Sequence, residues 1–408
     1  MLQWLKSGAA LTIAGTVALS CCACGTDSSN LNETAAESIG DHDWESSMEL
    51  FYAEGFRVDY YEDGYVLITI GDDGQYLVVP EGQEMPDQVD ESVTVLQQPI
   101  EHIYLAASAV MDMYVSLDAL DDIRFSALDT DGWYIDEAVS KMESGDILYA
   151  GKYSAPDYEL ILSEGCDLAI ENTMIYHTPE VKEELESFDI PVLVDYSSYE
   201  SDPLGRMEWI KLYGVLTGET ELAEQVFERQ AALYEDAGSA ETEASESAED
   251  ETDAGTSEII GEEDGENRPT VAFFYITTSG AVNVRKTSDY LPKMIEQAGG
   301  SYIFDDLGGD DDSASSTVTM QMEEFYAAAK DADYLIYNST IEGELDNMED
   351  FLALSDLLKN FKAVSENHVY CTANNLYQAS MELGTITSDI RNMLQGDADH
   401  MTYLYRLE

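Results

Sequence analysis

Residues 146–194 read DILYAGKYSAPDYELILSEGCDLAIENTMIYHTPEVKEELESFDIPVLV, and this stretch decides the fold class. Apolar runs at residues 168–170 and 192–194 have the length of buried strands. A short amphipathic helix is predicted before the first run, at residues 157–162, and a second helix is predicted between the two runs. Strands that alternate with helices in this way predict parallel β-α-β units.

The second predicted helix begins at Thr178-Pro179. Proline suits the first turn of a helix, and a threonine before it can cap the free amides. In folds of this type the chemistry lies on the loops that follow the carboxyl ends of the strands. We therefore expect residues 171–176 and 195–200 to lie at the rim of a cleft.

Several short motifs follow one another in a specific order and spacing. In the first half of the chain these are Pro156-Asp-Tyr-Glu159, Cys166-Asp-Leu-Ala-Ile170, Thr178-Pro-Glu180 and Ile190-Pro-Val192. Further along they are Pro203-Leu-Gly-Arg-Met-Glu-Trp-Ile210, the run from Tyr290 to Gly300 and the run from Glu323 to Ile336. Together these motifs resemble the class III substrate-binding proteins of ABC importers, which are receptors for ferric siderophores, haem and cobalamin. The resemblance covers roughly residues 90–408, apart from one insertion.

The resemblance implies an α/β fold of two Rossmann-like lobes. Each lobe has a central, mainly parallel sheet, a single long helix joins the lobes, and the ligand cleft lies between them. The predicted parts are an N-terminal lobe at residues 48–202, an inter-lobe helical linker at residues 203–234 and a C-terminal lobe at residues 269–408.

A small antiparallel ribbon is predicted at the start of the first lobe. Its three strands are residues 56–61, 65–70 and 75–79, and the first two are separated by an Asp-Gly step typical of hairpins. Further on, residues 235–268 are predicted to form a disordered acidic insertion. Fourteen acids and no base occur between positions 235 and 267, and such a segment buries too little apolar surface to offset the entropy of ordering.

The amino terminus predicts the compartment. Residues 1–24 resemble a bacterial lipoprotein signal peptide, with a basic residue, a short apolar core and a cysteine at the cleavage point. Cys24 is the preferred lipidated residue and Cys21 is the alternative. Residues 25–47 are predicted to be a flexible tether. The expected location is extracytoplasmic, with the protein anchored to the cell membrane.

The charge balance argues against a nucleic-acid partner. The chain has 84 acids and 18 bases, a formal net charge of -66. Binding to nucleic acid needs clustered lysine and arginine, so no nucleic-acid partner is expected.

Catalytic and cofactor motifs such as a Gly-x-Ser-x-Gly elbow, a phosphate-binding loop or paired metal-binding cysteines do not occur. We expect a binding protein and not an enzyme, with no cofactor and no metal site of its own.

Ligand contacts are predicted among polar and aromatic residues of the strand-end loops, because aromatic faces suit a bulky chelate. Arg206 and Arg285 are notable because bases are scarce, and a guanidinium fork could clamp a carboxylate, a catecholate or a haem propionate. The other candidates are Ser108, Met111, Trp133, Tyr134, Tyr153, Asn172, Met174, Tyr176, Ser198, Tyr199, Tyr275, Thr277, Tyr290, Asn338, Thr340 and Tyr377.

The resemblance also implies a membrane partner. Receptors of this class dock on an ABC permease dimer through one surface glutamate per lobe, which Glu159 and Glu324 match, with Glu323 fitting nearly as well as Glu324. The sequence thus favours a monomeric, lipid-anchored receptor that captures an iron chelate, a siderophore or haem, and delivers it to the permease. The alternatives are a cobamide receptor, a tetrapyrrole chelatase-like enzyme and an acidic surface interaction protein.

Overall fold

The computed structural model describes residues 31, 35–71, 73–246, 268–304, 306–308, 316–397 and 400–408. The predicted signal peptide, with Cys24 and Cys21, lies outside the described residues. Within the described part of the chain, no helix is long and apolar enough to cross a membrane.

Six strands near the amino terminus form one sheet. They are β1 Ser38–Ile39, β2 His42–Ser47, β3 Phe56–Tyr61, β4 Val66–Ile70, β5 Gly74–Val79 and β6 Val93–Gln97. Strands β1 to β5 pair antiparallel in chain order, and β6 pairs parallel with β5. The three predicted strands are confirmed as β3, β4 and β5, but the sheet is twice as wide. The prediction of a flexible tether is wrong for residues 38–47, which form β1 and β2.

The first lobe is built on a parallel sheet. Its strands are β7 Ile103–Leu105, β8 Ile123–Ser126, β9 Leu148–Tyr149, β12 Ala169–Asn172 and β13 Val192–Asp195, and a small hairpin is formed by β10 Gly151–Lys152 and β11 Ala155–Pro156. The order across the sheet is β13-β12-β7-β8-β9. The helices are α1 Ser108–Ser116, α2 Asp136–Ser144, α3 Tyr158–Glu164 and α4 Pro179–Ser187. The strands predicted near residues 168–170 and 192–194 are confirmed as β12 and β13.

Helix α4 begins at Pro179, as predicted, but the expected threonine cap does not form. The Thr178 hydroxyl is buried and makes no hydrogen bond, either to the free amides or to another group of the described chain. The fixed backbone angle of the proline therefore starts this helix without help from the side chain that precedes it.

Three helical segments connect the lobes: α5 Pro203–Glu208, α6 Ile210–Thr217 and α7 Thr220–Glu246. The connection is helical as predicted, but it is not a single helix, because Gly218 has a left-handed φ of 81° that ends α6. Helix α7 continues to Glu246, so the prediction of disorder is wrong for residues 235–246. Residues 247–267 of the predicted insertion lie outside the described residues.

The second lobe has a mixed sheet. Its strands are β14 Thr270–Ile276, β15 Val282–Arg285, β16 Ser301–Tyr302, β17 Thr317–Met320, β18 Tyr334–Tyr337, β19 Val369–Thr372 and β20 Leu404–Arg406. Strands β14, β16, β18 and β19 pair parallel, whereas β15, β17 and β20 join antiparallel at the edges. The helices are α8 Tyr290–Gln297, α9 Met322–Ala329, α10 Met348–Ala353, α11 Lys362–Glu366 and α12 Leu383–Gln395.

One hydrophobic cluster joins the N-terminal sheet, the linker and both lobes. At most 2% of the surface of each of the following members is exposed: Ile68 of β4, Val110 of α1, Trp209 between α5 and α6, Met294 of α8 and Ile390 of α12. Because the same apolar contacts bury residues of all four parts, the N-terminal sheet is fixed to the linker and is not a separate module.

Two buried carboxylates, Glu208 at the end of α5 and Glu200 in the loop before α5, hold the chain that precedes β3. Glu208 accepts hydrogen bonds of 2.8–3.1 Å from the backbone N–H groups of residues 51–53, and Glu200 accepts them at 2.8–2.9 Å from residues 54–55. Glu208 also pairs with the buried Lys211 ammonium at 3.1 Å. These charge-assisted bonds position the strap, residues 51–55, across α5.

Candidate functional site

A cavity of about 230 Å³ lies between the lobes. The first lobe and linker contribute α1, the loop after β13 and α5, and the second lobe contributes the end of β15, the start of α8 and the loop between β19 and α12. The lining residues are Ala109, Met113, Ser197, Ser198, Arg206, Arg285, Asp289, Tyr290, Ser316, Leu376, Tyr377, Ser380 and Leu383. The prediction that residues 195–200 lie at the rim of a cleft is confirmed by the two serines of that loop.

Arg206 is fixed by groups on both sides of the cavity. Its Nε–H donates to the carbonyl of Glu200 at 2.8 Å, and an Nη–H donates to the carbonyl of Ser198. The guanidinium carbon lies 3.8 Å from the centre of the Tyr290 ring. Burial, with a smaller contribution from the nearby charge of Arg285, lowers the pKa of Arg206. An arginine remains protonated even so, and it has N–H donors that these two carbonyls do not use.

Arg285 approaches the same cavity from the second lobe. Its Nη1 donates to Ser316 Oγ at 3.1 Å and lies 3.4 Å from Asp289 Oδ2. Its guanidinium carbon lies 4.9 Å from the centre of the Tyr377 ring. Stacking on an aromatic face orients the planar guanidinium and leaves its edges free to donate hydrogen bonds to a ligand.

Hydrogen bonds hold the groups around the two arginines. Asn338 Nδ2 donates to the Tyr377 hydroxyl at 2.7 Å, which fixes the ring beneath Arg285. Across the cavity, Ser197 Oγ donates to Asp195 Oδ2 at 2.7 Å, and Tyr213 of α6 donates to Oδ1 of the same carboxylate at 2.8 Å. Burial raises the pKa of Asp195, and its two hydroxyl partners oppose that effect. This buried network anchors the loop after β13 to the linker.

The cavity is basic in an acidic protein. Among the described residues that line it, the charged ones are Arg206, Arg285 and Asp289, so two positive charges meet one negative charge. The whole chain has a formal net charge of -66. A partly enclosed site with unused guanidinium donors favours an anionic ligand with oxygen acceptors.

The predicted ligand residues divide into three groups. Arg206, Arg285, Tyr290, Tyr377 and Ser198 line the cavity, and Asn338 supports it through Tyr377. Trp133 and Tyr134 line a second cavity between the lobes. Residues that line neither cavity are Ser108, Met111, Tyr153, Asn172, Met174, Tyr176, Tyr199, Tyr275, Thr277 and Thr340.

The structure shows where three members of the third group lie instead. Met111 is fully buried in the hydrophobic core, so it faces that core and not a cleft. The Tyr176 hydroxyl bonds to Asp73 of the N-terminal sheet, and the Tyr199 hydroxyl accepts from Thr173 at 3.0 Å. In the loop after β12, Tyr176 therefore turns toward the N-terminal sheet, whereas Thr173 contacts the loop after β13, and the placement of residues 171–176 at a cleft rim stays a prediction.

Several cavity residues lie outside every segment and residue predicted for the cleft: Asp289, Ser316 and Ser380 are examples. Asp289 has a sequence signal, since it precedes a helical pattern and its side chain caps α8 by accepting from the N–H of Leu291 at 3.0 Å. Its contact with Arg285 depends on the turn between β15 and α8, which no local pattern specifies.

The two predicted docking glutamates lie on the surface of different lobes. Glu159 is exposed in the first turn of α3, and Glu324 is exposed in the first turn of α9, beside the equally exposed Glu323. Among the described residues, no group of three or more His, Cys, Asp and Glu side chains is arranged to hold a metal ion.

Solved structures with similar folds are periplasmic binding proteins. A periplasmic haem-binding protein from Pseudomonas aeruginosa superimposes with a TM-score of 0.56 at 13% identity, covering 76% of this chain and 98% of that one. A periplasmic binding protein from Veillonella parvula gives 0.53 at 15% identity, covering 72% and 91%. The periplasmic catecholate-siderophore binding protein of Vibrio cholerae gives 0.52 at 12% identity, covering 72% and 95%. The fold is that of the periplasmic binding proteins. The predicted α/β architecture of two lobes is thus confirmed.

Relatives in sequence are uncharacterised lipoproteins of Methanocaldococcus jannaschii. One is 22% identical over 272 residues, a match that spans 65% of this chain and 57% of the relative. A second is 21% identical over 375 residues, spanning 88% of this chain and 86% of that relative. No protein-family model matches the chain.

Proposed function

We propose that this protein is an extracytoplasmic receptor that binds an anionic metal chelate, such as a ferric siderophore or haem, between its lobes and delivers it to an ABC permease. The observation that supports the ligand class is the pair Arg206 and Arg285, stacked on Tyr290 and Tyr377 in a cavity of a strongly acidic chain. The fold supports a role in binding, since two proteins of similar fold are a haem-binding protein and a catecholate-siderophore binding protein.

The cavity of about 230 Å³ is smaller than the ~300–1,000 Å³ typical of small-molecule pockets. A chelate therefore enters when contacts between the lobes open. Four hydrogen bonds in particular tie residues 378–381 of the second lobe to the first lobe, and these are the contacts we expect to change on binding.

Tryptophan fluorescence of the purified protein, titrated with a ferric catecholate siderophore, haem and cobalamin, tests the ligand class. We expect saturable binding of an anionic chelate, and binding at least tenfold weaker in Arg285→Ala, because a desolvated guanidinium bond to an anion contributes roughly 1.5–3 kcal/mol. The matched control is Arg229→Ala on the exposed face of α7. Absence of binding to every chelate, or binding of neutral cobalamin alone, would overturn the proposal.

Delivery is tested with the reconstituted permease. Glu159 and Glu324 support the docking proposal by their exposure on separate lobes. Charge reversal in Glu159→Arg and in Glu324→Arg should each lower receptor-stimulated ATP hydrolysis at unchanged chelate affinity. Glu323→Arg distinguishes the two neighbouring candidates on α9. Unchanged stimulation in all three variants would contradict docking through these glutamates.

A further inference from the structure

A second and larger cavity, of about 520 Å³, lies between the lobes. The first lobe contributes Asp112 of α1 and residues 133–137, which lead into α2. The second lobe contributes residues 373–375 and 379 of the loop after β19, together with residues 402–403 before β20. Both lobes therefore wall this cavity, as they wall the basic one.

The two cavities are neighbours on opposite sides of one wall. That wall is the 377–381 segment, in which Tyr377 and Ser380 face the basic cavity and Ala379 faces the second one. Ser380 Oγ donates to the carbonyl of Ala109 at 2.5 Å, and the Met381 N–H donates to Asp112 Oδ2 at 2.8 Å. Opening these interlobe bonds would join the two cavities into one cleft.

The second cavity has the opposite charge. Its described lining includes the carboxylates of Asp112, Asp136 and Glu137 and no lysine or arginine. Burial raises the pKa of Asp112 to about 7, whereas the side chains of Asp136 and Glu137 are exposed. A negative cavity directly beside a basic one separates charge along the cleft.

Aromatic faces and an unused acceptor accompany the carboxylates. The indole N–H of Trp133 donates to Ser126 Oγ at 2.9 Å. Tyr134 and Tyr403 place further aromatic rings in the lining. The amide oxygen of Asn375 is buried and has no hydrogen-bond partner in the described chain.

We propose that this acidic cavity is a second subsite of the cleft and binds a protonated amine of the ligand. Carboxylates combined with aromatic faces are the chemistry that recognises organic ammonium groups. A bare metal ion is a poorer fit, since no three His, Cys, Asp or Glu side chains among the described residues are close enough together to coordinate one ion. The inference rests on the proposed function, which places an anionic group of the ligand on Arg206 and Arg285. An ammonium group of the same ligand would then lie in the acidic cavity, on the other side of the 377–381 segment.

The test uses cadaverine, a simple diamine, titrated into the purified protein at 150 mM salt by calorimetry, with Trp133 fluorescence as a local reporter. We expect saturable binding that weakens at least tenfold in the double variant Asp136→Asn/Glu137→Gln. The matched control is Glu221→Gln/Glu228→Gln, two exposed acids of α7. An equal loss in both double variants, or no saturable binding to the wild type, would overturn the acidic subsite.

Arg285→Ala separates this inference from the proposed function. The affinity of this variant for cadaverine should be within twofold of the wild-type affinity, whereas its affinity for an anionic chelate should be at least tenfold lower. If amine binding persists while no chelate binds the wild type, the proposed function fails and the acidic subsite stands. If a ferric chelate that itself carries a free ammonium group binds and does not displace cadaverine, the two cavities do not hold one ligand, and the inference of a two-ended ligand is wrong.

Discussion

The guanidinium carbon of Arg206 lies 3.8 Å from the centre of the Tyr290 ring. Arg206 belongs to α5 of the linker, and Tyr290 is the first residue of α8 in the second lobe. Because Arg206 also donates to carbonyls of Ser198 and Glu200 in the first lobe, this one side chain contacts both lobes and the cavity. The linker and the candidate binding site therefore share a residue.

Replacement of Arg206 by lysine should separate charge from geometry. Lysine keeps the positive charge but cannot stack as a plane or donate to two carbonyls from fixed positions. We expect Arg206→Lys to weaken anionic-chelate binding about tenfold, measured by fluorescence titration. Tyr290→Leu, which removes the ring and retains bulk, should cause a smaller loss. Wild-type affinity in Arg206→Lys would show that charge alone suffices.

Gln378 should control how tightly the lobes close. Its Oε1 accepts from the Tyr134 N–H and its Nε2 donates to the Gly132 carbonyl, both at 2.8 Å. Gln378→Leu removes both interlobe bonds, so we expect a larger radius of gyration by small-angle X-ray scattering and faster chelate association. Gln395→Leu, at the exposed end of α12, is the control and should leave both quantities unchanged. An unchanged radius in Gln378→Leu would contradict its role in closure.

The strap should be a large contributor to stability. Glu208→Gln removes a buried charge that accepts from residues 51–53 and pairs with Lys211. Removing one partner of a buried pair typically costs about 3–5 kcal/mol, and Glu224, 3.2 Å from the same ammonium, should moderate the loss. We expect about 3 kcal/mol less free energy of unfolding in urea, against less than about 0.5 kcal/mol for the exposed Glu228→Gln. Equal effects of the two substitutions would contradict this assignment.

Glu171 should make stability depend on pH. Its carboxyl on β12 is fully buried, neither oxygen has a hydrogen-bond partner among the described residues, and burial raises its pKa from 4.5 to about 8. A carboxyl whose pKa is raised by folding stabilises the fold fully below its unfolded pKa, and this contribution is lost as the pH rises through about 8.

Glu171→Gln should therefore flatten the decline in the free energy of unfolding between pH 5 and pH 8. The decline attributable to this group is at most about 5 kcal/mol, since one pH unit of pKa difference corresponds to about 1.4 kcal/mol. Urea titrations at both pH values measure it, with the exposed Glu183→Gln as control. A decline of the same size in Glu171→Gln and wild type would contradict this role.

Much of the fold could be predicted from local patterns. The strands β3, β4, β5, β12 and β13 and the helices α3 and α4 lie within a few residues of their predicted positions, because the spacing of apolar residues reflects which side of an element is buried. Local patterns did not predict the strands that form only because another strand pairs with them. Residues 38–47 are polar, yet they form strands because β3 offers an unpaired edge.

The candidate site could be predicted only in part. Arg206 and Arg285 stood out because bases are scarce in this sequence, and both line the cavity. Met111 was indistinguishable from a cleft residue by position, since it lies one helical turn from Ser108, but its side chain turns into the core. The serines that follow β13, Ser197 and Ser198, could be predicted from their position after a strand, whereas Ser316 and Ser380 had no such signal.

The sequence by itself determined the α/β class, the two-lobed order of elements and the acidic character, because these depend on periodicity, spacing and composition. Only the tertiary structure decided which side chains meet across the lobes. Arg206 stacks on Tyr290 and Gln378 bonds to the loop at residues 132–134 although long stretches of chain separate the partners. Such contacts are set by how two folded lobes pack around a shared linker, and no local pattern of residues encodes that distance.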